Sequence, residues 1–186
     1  MLILAAFLFA APPPAPEREL LDAFNAACSR TGTDIAAMKA DALATGWTEM
    51  ADEAEPQVAR LVRLGREAAD ADGKVDGASF RRKLGGRDVF LIVSRYEDRS
   101  RFWGAGCRLY DFEATAPLDG PALENWMGKP PTHVEEPAPG LSKRLWEPGW
   151  RDGISLEISY VAQGNPVGHQ YGLSGNILVA QAIGGF

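Results

Sequence analysis

Chemistry in this chain would have to come from a short inventory: two cysteines, Cys28 and Cys107, two histidines, His133 and His169, and a set of 19 basic and 25 acidic side chains. With so few thiols and imidazoles, nucleophilic catalysis or metal binding needs a specific arrangement, and the arrangements can be tested one at a time. A serine hydrolase needs an exposed nucleophile on a strained turn beside a histidine, usually within Gly-x-Ser-x-Gly. That motif is absent. The nearest run, Gly172-Leu173-Ser174-Gly175, falls within an expected strand, and only a Ser174/His169 pair is left as a hydrolytic alternative. A zinc site would have to recruit carboxylates around histidines far apart in sequence. The acidic run Asp70, Asp72 and Asp76 with Gly73 suggests a calcium loop, but its first and last ligand positions would be Ala68 and Ser79, so both anchoring carboxylates are missing. Gly104-Ala105-Gly106 opens no helix, so it does not make a phosphate cradle. The expectation is no catalytic residue set, no metal and no cofactor.

Charge is less evenly spread. The formal charge is -6, yet the segment from Arg81 to Arg108 holds eight basic residues against Asp88, Glu97 and Asp98, a local +5 in a chain whose remainder sums to -11. Guanidinium groups capture carboxylate or phosphate with two parallel hydrogen bonds. Arg81, Arg82, Arg95, Arg99 and Arg101 are therefore the expected anion-binding residues, with Arg108 a structural member on the opposite strand face from Cys107. The acidic total opposes nucleic acid, whose non-specific binding depends on many Lys and Arg neutralising phosphates. The expected partner is an envelope protein or a small anionic ligand.

The compartment is read from the N-terminus. Met1 to Ala11 is uncharged and apolar and runs into Pro12-Pro13-Pro14, the h-region of a signal peptide rather than a span, which needs about 20 apolar residues. Residues 1–10 are read as a signal peptide and 17–186 as a single α+β domain, periplasmic or secreted, with no stable membrane span. Arginine outnumbers lysine and alanine and glycine are plentiful, the usage of a GC-rich bacterial genome. In an oxidising compartment two cysteines tend to pair. Leu20, Leu21, Phe24, Ala27 and Cys28 repeat at helical spacing, and Cys107 shares strand parity with Trp103, Ala105 and Leu109. Both thiols should point into one core and form a disulfide.

The elements that must position these residues follow from periodicity. Helices are expected over 18–30, over 34–44 with Thr33 or Asp34 as N-cap and Gly46 as stop, and over 56–69 with Val58, Leu61, Val62 and Gly65 on its apolar face. From Ser79 the period falls to two. Val89, Leu91 and Val93 alternate with Phe90, Ile92 and Ser94, and a second strand from Phe102 to Phe112 completes an antiparallel hairpin. A short helix at 119–127, a proline-rich loop at 129–140, a strand at 154–160 and a last strand at 170–183 follow, with a turn at Gly164-Asn165-Pro166 between the two strands. Trp146 to Trp150 fits a type II turn whose indoles either cover the sheet or face a ligand.

The sum is an α+β fold with N-terminal helices on one face of an antiparallel sheet of about five strands. Its order is loosely similar to that of PAS- or profilin-like domains, a likeness of topology that brings no ligand with it. The functional expectation is a non-enzymatic exported domain that binds a ligand or partner, with an envelope hydrolase as the alternative. Intact-mass analysis of protein exported by its native host should give a mature start at or near Ala11. Full-length chain in the cytosol would reverse the assignment of compartment.

Overall fold

Strand alternation places nearly every sheet residue on one of two faces, and the computed structural model, which describes residues 15–32, 34–69 and 73–186, shows how differently those faces are covered. The expected signal segment, Thr33, Asp70 and Asp72 lie outside the described residues. Eight strands form one antiparallel sheet: β1 (Thr48–Met50), β2 (Lys74–Leu84), β3 (Arg87–Glu97), β4 (Trp103–Asp111), β5 (His133–Ala138), β6 (Leu141–Trp146), β7 (Ser155–Val161) and β8 (Gly175–Gly184). Their spatial order is β1-β2-β3-β4-β8-β7-β6-β5, so two meanders are joined through the last strand.

The expected count of about five strands is too low. The strand spans read from the sequence correspond to β3, β4, β7 and β8; β1, β2, β5 and β6 have no counterpart among them, and one helix was overlooked. β1 is three residues long, β2 carries polar residues at Asp76 and Ser79, and β5 is exposed throughout, with Pro137 inside it. None of them shows clean apolar alternation, because an edge or sparsely covered strand does not need it. The turn at Gly164-Asn165-Pro166 leads into helix α5 (Pro166–Tyr171), capped by Asn165, rather than directly into the last strand. At Trp146 to Trp150 the expected type II turn is not formed: Gly149 lacks the positive φ that it requires, and the Glu147–Pro148 bond is cis.

Helices α1 (Ala15–Cys28), α2 (Ile35–Ala44) and α4 (Gly120–Met127) cover the first face. Asp34 caps α2 by accepting from the Ala37 N–H, and Asp119 caps α4 in the same way at Ala122. Leu20, Leu21 and Phe24 of α1 meet Phe80, Leu91, Leu109, Leu156 and Leu178, and Trp146 is fully buried among them. Trp150 packs its ring 5.3 Å from Phe24 and 6.1 Å from Trp126, so both indoles of the turn belong to this core. Ion pairs and caps fix the helices in place: Lys39 Nζ lies 2.9 Å from Asp76, and Glu19 accepts from the Gly85 N–H in the β2–β3 turn.

The expectation that the helices share one face fails for α3 (Pro56–Glu67). Val58, Leu61 and Val62 pack with Phe90, Ile92, Tyr110, Phe112 and Ile177, which are the residues of opposite parity, on the second face. α5 joins it there through Arg60, whose Nη2 donates to the carbonyls of His169 and Gln170. The rest of this face is polar: Ser155, Glu157 and Ser159 point to it, and Lys143 pairs with Glu157 at 2.9 Å.

Cys28 and Cys107 are joined by a disulfide with their Cα atoms 5.5 Å apart, tying α1 to the middle of the sheet. Asp111 and Asn176, paired across β4 and β8, are the polar residues buried at the far end of the first face. Burial pushes the Asp111 carboxyl up; the Arg87 guanidinium, 2.9 Å away, and backbone N–H groups of Glu113 and Ala114 oppose this.

Two outcomes follow from this core. Replacing both cysteines by alanine removes a 79-residue cross-link and should cost about 4 kcal/mol, a fall in Tm on the order of 10 °C, read by calorimetry; an unchanged Tm would contradict it. For Asp111, the folded form holds its proton at pH values where the unfolded carboxyl has lost it, so stability falls as pH rises from the ordinary carboxylate range through the raised value. Asp111→Asn lacks this titration, and its Tm should gain on that of the wild type as pH rises. A pH-independent difference would show that burial does not govern the group.

Candidate ligand cleft

Four cross-strand rows on the second face frame the site, and the two outer rows, with Ser79, Ile92 and Arg108 of the third and Tyr110 of the fourth, line it. Val75, Tyr96, Gly104 and Ile183 form the outermost row, followed inward by Gly77, Ser94, Gly106 and Gln181, then Ser79, Ile92, Arg108 and Val179, and then Arg81, Phe90, Tyr110 and Ile177. The second row carries two glycines and a serine where the neighbouring rows carry bulkier groups, so the floor is lowered there. Above it, α3 presents Leu61, Val62 and Gly65, with Ala68 and Ala69 just beyond the helix. Small residues on both sides leave a cleft of about 480 Å³ between helix and sheet. That is within the size range of small-molecule sites.

Arg108 is the arginine of β4 on this face, and its side chain bends back across Gly106. Nη1 donates to Ser94 Oγ at 2.9 Å, and a Cβ placed on Gly106 would stand 2.7 Å from the Arg108 Cζ. The absent side chain at Gly106 is thus what lets the guanidinium lie on the floor. Gly77 is constrained differently: a Cβ there would meet the Val93 carbonyl oxygen at 2.6 Å. At one side of the cleft Asp52 accepts from Ser79 Oγ at 2.6 Å and pairs with Arg66 at 3.1 Å. Tyr110 lines the inner end, where burial pushes its phenol pKa up and favours the neutral form, the Arg108 charge opposing. The cleft therefore offers apolar walls, a neutral hydroxyl and, on its floor, the Arg108 guanidinium bonded to a serine rather than to a carboxylate.

The five arginines singled out from sequence are not brought together. Arg81 is exposed on the second face beyond the cleft lining. Arg82 is on the first face, where Nη1 donates to the Thr45 carbonyl at 2.8 Å behind α2. Arg95 shares that face; it pairs with Glu97 and stacks 5.6 Å above the Trp103 ring. Arg99 and Arg101 sit in the exposed β3–β4 turn, Arg101 with a positive φ and Arg99 with an interaction of its own. Sequence reasoning placed Arg108 correctly opposite Cys107 but left it out of the site, and it missed Gly77, Ser94 and Gly106. The signal was present in Gly104-x-Gly106-x-Arg108, three residues of one parity in a single strand.

The other candidate groups stand elsewhere. His169 is exposed in the last turn of α5, and Ser174 Oγ donates to the Phe112 carbonyl at 3.2 Å, so its proton is not directed at the imidazole. Both line a shallow depression with Arg60, and no carboxylate is among its described lining residues. His133 is exposed in β5 and meets Glu135 at 2.7 Å. Asp76 belongs to β2, where its carboxylate is held low chiefly by the Lys39 hydrogen bond.

Comparison with protein families, curated proteins and solved structures finds no match to this chain, so the loose likeness to PAS- or profilin-like order has no support beyond element sequence.

Proposed function

We propose that the chain is an exported, non-enzymatic domain that binds a small ligand in the cleft between α3 and the sheet. The observation that carries this reading is the cleft itself, kept open by glycines and alanines on both walls where larger side chains would have closed it. The polar groups around it are engaged as binding or structural pairs rather than as a nucleophile and base: Asp52 with Ser79 and Arg66, Arg108 with Ser94. The Ser174/His169 alternative is supported by neither a hydrogen bond between the two nor a nearby carboxylate among the described lining residues. The Cys28–Cys107 disulfide is compatible with a periplasmic or secreted setting, as is the lack, among the described residues, of a helix long and apolar enough to cross a membrane.

Gly65 provides the test. A Cβ at this position of α3 meets nothing within 4 Å, so a large side chain can enter the cleft without displacing the helix. Gly65→Phe should keep or raise the Tm, because it removes a helix-interior glycine worth roughly 1 kcal/mol against alanine. It should weaken binding of the neutral apolar dye Nile red at least tenfold, measured by fluorescence titration. Equal affinity in the two proteins, or emission that never saturates, would remove the cleft as the binding site.

A further inference from the structure

The cleft's ligand class follows from its electrostatics, and this step rests on the ligand-binding reading above. We propose that the cleft takes a monoanionic amphiphile, an apolar body with a single carboxylate head, and that the head is held by Arg108 over Gly106. Among the described lining residues there is one carboxylate, Asp52, and it is engaged twice, by Arg66 at 3.1 Å and by Ser79 at 2.6 Å. Arg66 is thereby neutralised, and Arg95 is paired with Glu97 on the other face. Arg108 has no acidic partner among the described residues: its one hydrogen bond goes to a neutral hydroxyl, at 2.9 Å. A guanidinium has five N–H donors, so after the bond to Ser94 most of its donating capacity is unused among the described residues. One uncompensated positive charge on a mostly apolar floor selects a ligand with one negative charge, and the planar fork favours a carboxylate that can accept two parallel bonds.

The surroundings of the head specify the body. Leu61 and Val62 from α3 and Ile92 from β3 flank it inward, and Val75, Tyr96 and Ile183 stand at the lip. Val75 is 40% exposed and Ile183 58%, large apolar side chains left in water at the cleft mouth, where an apolar chain would cover them. Between head and lip lies Gly104, so the path along the floor is unobstructed. Gly106 becomes a positioning residue: any Cβ there moves the guanidinium off the floor without touching the backbone, because the atoms it would meet are the far end of the Arg108 side chain.

The experiment is calorimetric titration of the full, oxidised protein with decanoate and with decanol, both below their aggregation limits. Decanoate should bind at least tenfold more tightly than decanol. Arg108→Met should erase that preference while decanol binding stays, and Arg108→Lys should retain part of it. Gly106→Ala should lower decanoate affinity at least fivefold, leaving decanol affinity and Tm near those of the wild type, a split that a merely structural glycine would not give. Equal binding of the two probes, or a preference that survives Arg108→Met, overturns the carboxylate assignment and leaves the cleft as a neutral-ligand site. If neither probe binds and Nile red is also indifferent to Gly65→Phe, the cleft reading itself falls.

Discussion

Strand β4 sets the relation between the two faces, because consecutive residues in it serve opposite sides of the sheet. Cys107 is bonded to α1 and buried among the large side chains of the first face, and Arg108, the next residue, emerges under α3. The covalent bond pins this register. A slip of one residue would send the guanidinium into the packed core and the sulfur into the cleft, and both faces would be wrong at once. Burying the unpaired charge alone would cost several kcal/mol. The cation's position in the cleft is therefore enforced from the other side of the sheet, by a bond and a core that never touch it.

The two faces also differ in how densely they are filled. On the first, Phe24, Phe80, Leu91, Leu109, Trp146 and Leu178 are essentially inaccessible to water, and each large apolar side chain buried to that extent contributes about 1.5–3 kcal/mol. On the second, the row Gly77, Ser94, Gly106 contributes little apolar area, opposed by Gly65 of α3 and Ala68 just beyond it. Space of this kind costs packing energy, and the molecule tolerates it because the opposite face is densely filled and cross-linked. The polar stretch of the second face over β7, where Ser155, Glu157 and Ser159 alternate, needs no cover at all.

What was legible in the sequence was whatever a strong period or a compartment argument governs. The stripe from Leu20 to Cys28, the cap Asp34, and the hairpin partners Val89 to Val93 and Trp103 to Leu109 are all found where the spacing puts them. The disulfide was legible because both cysteines could be placed on apolar faces before their partners were known. The edge strands were not, since Lys74 to Gly77 and His133 to Ala138 pair through backbone and leave their side chains largely exposed. Nor was the second location of α3, whose apolar stripe fits either side of a sheet. The scatter of the five arginines has a related reason: counting arginines along the chain treats neighbours in sequence as neighbours in space. Arg81 and Arg82 go to opposite faces, and Arg108 lies along the cleft floor because Gly106, two residues away, has no side chain.

The sheet's order carries a kinetic consequence. β8 is the strand that hydrogen-bonds both to β4 and to β7, so the meander β1 to β4 and the meander β5 to β7 have no ladder between them until residues 175–184 arrive. Before that, β4 and β7 each present a bare edge, the kind of surface that invites pairing with another chain. Cys28 and Cys107 both precede this event, so oxidation can lock the N-terminal half while its central edge is still unpaired. The last ten-residue strand then acts as a keystone. A chain cut short of it would keep its cross-link and its first helices yet have two open edges at what should be the centre of the molecule.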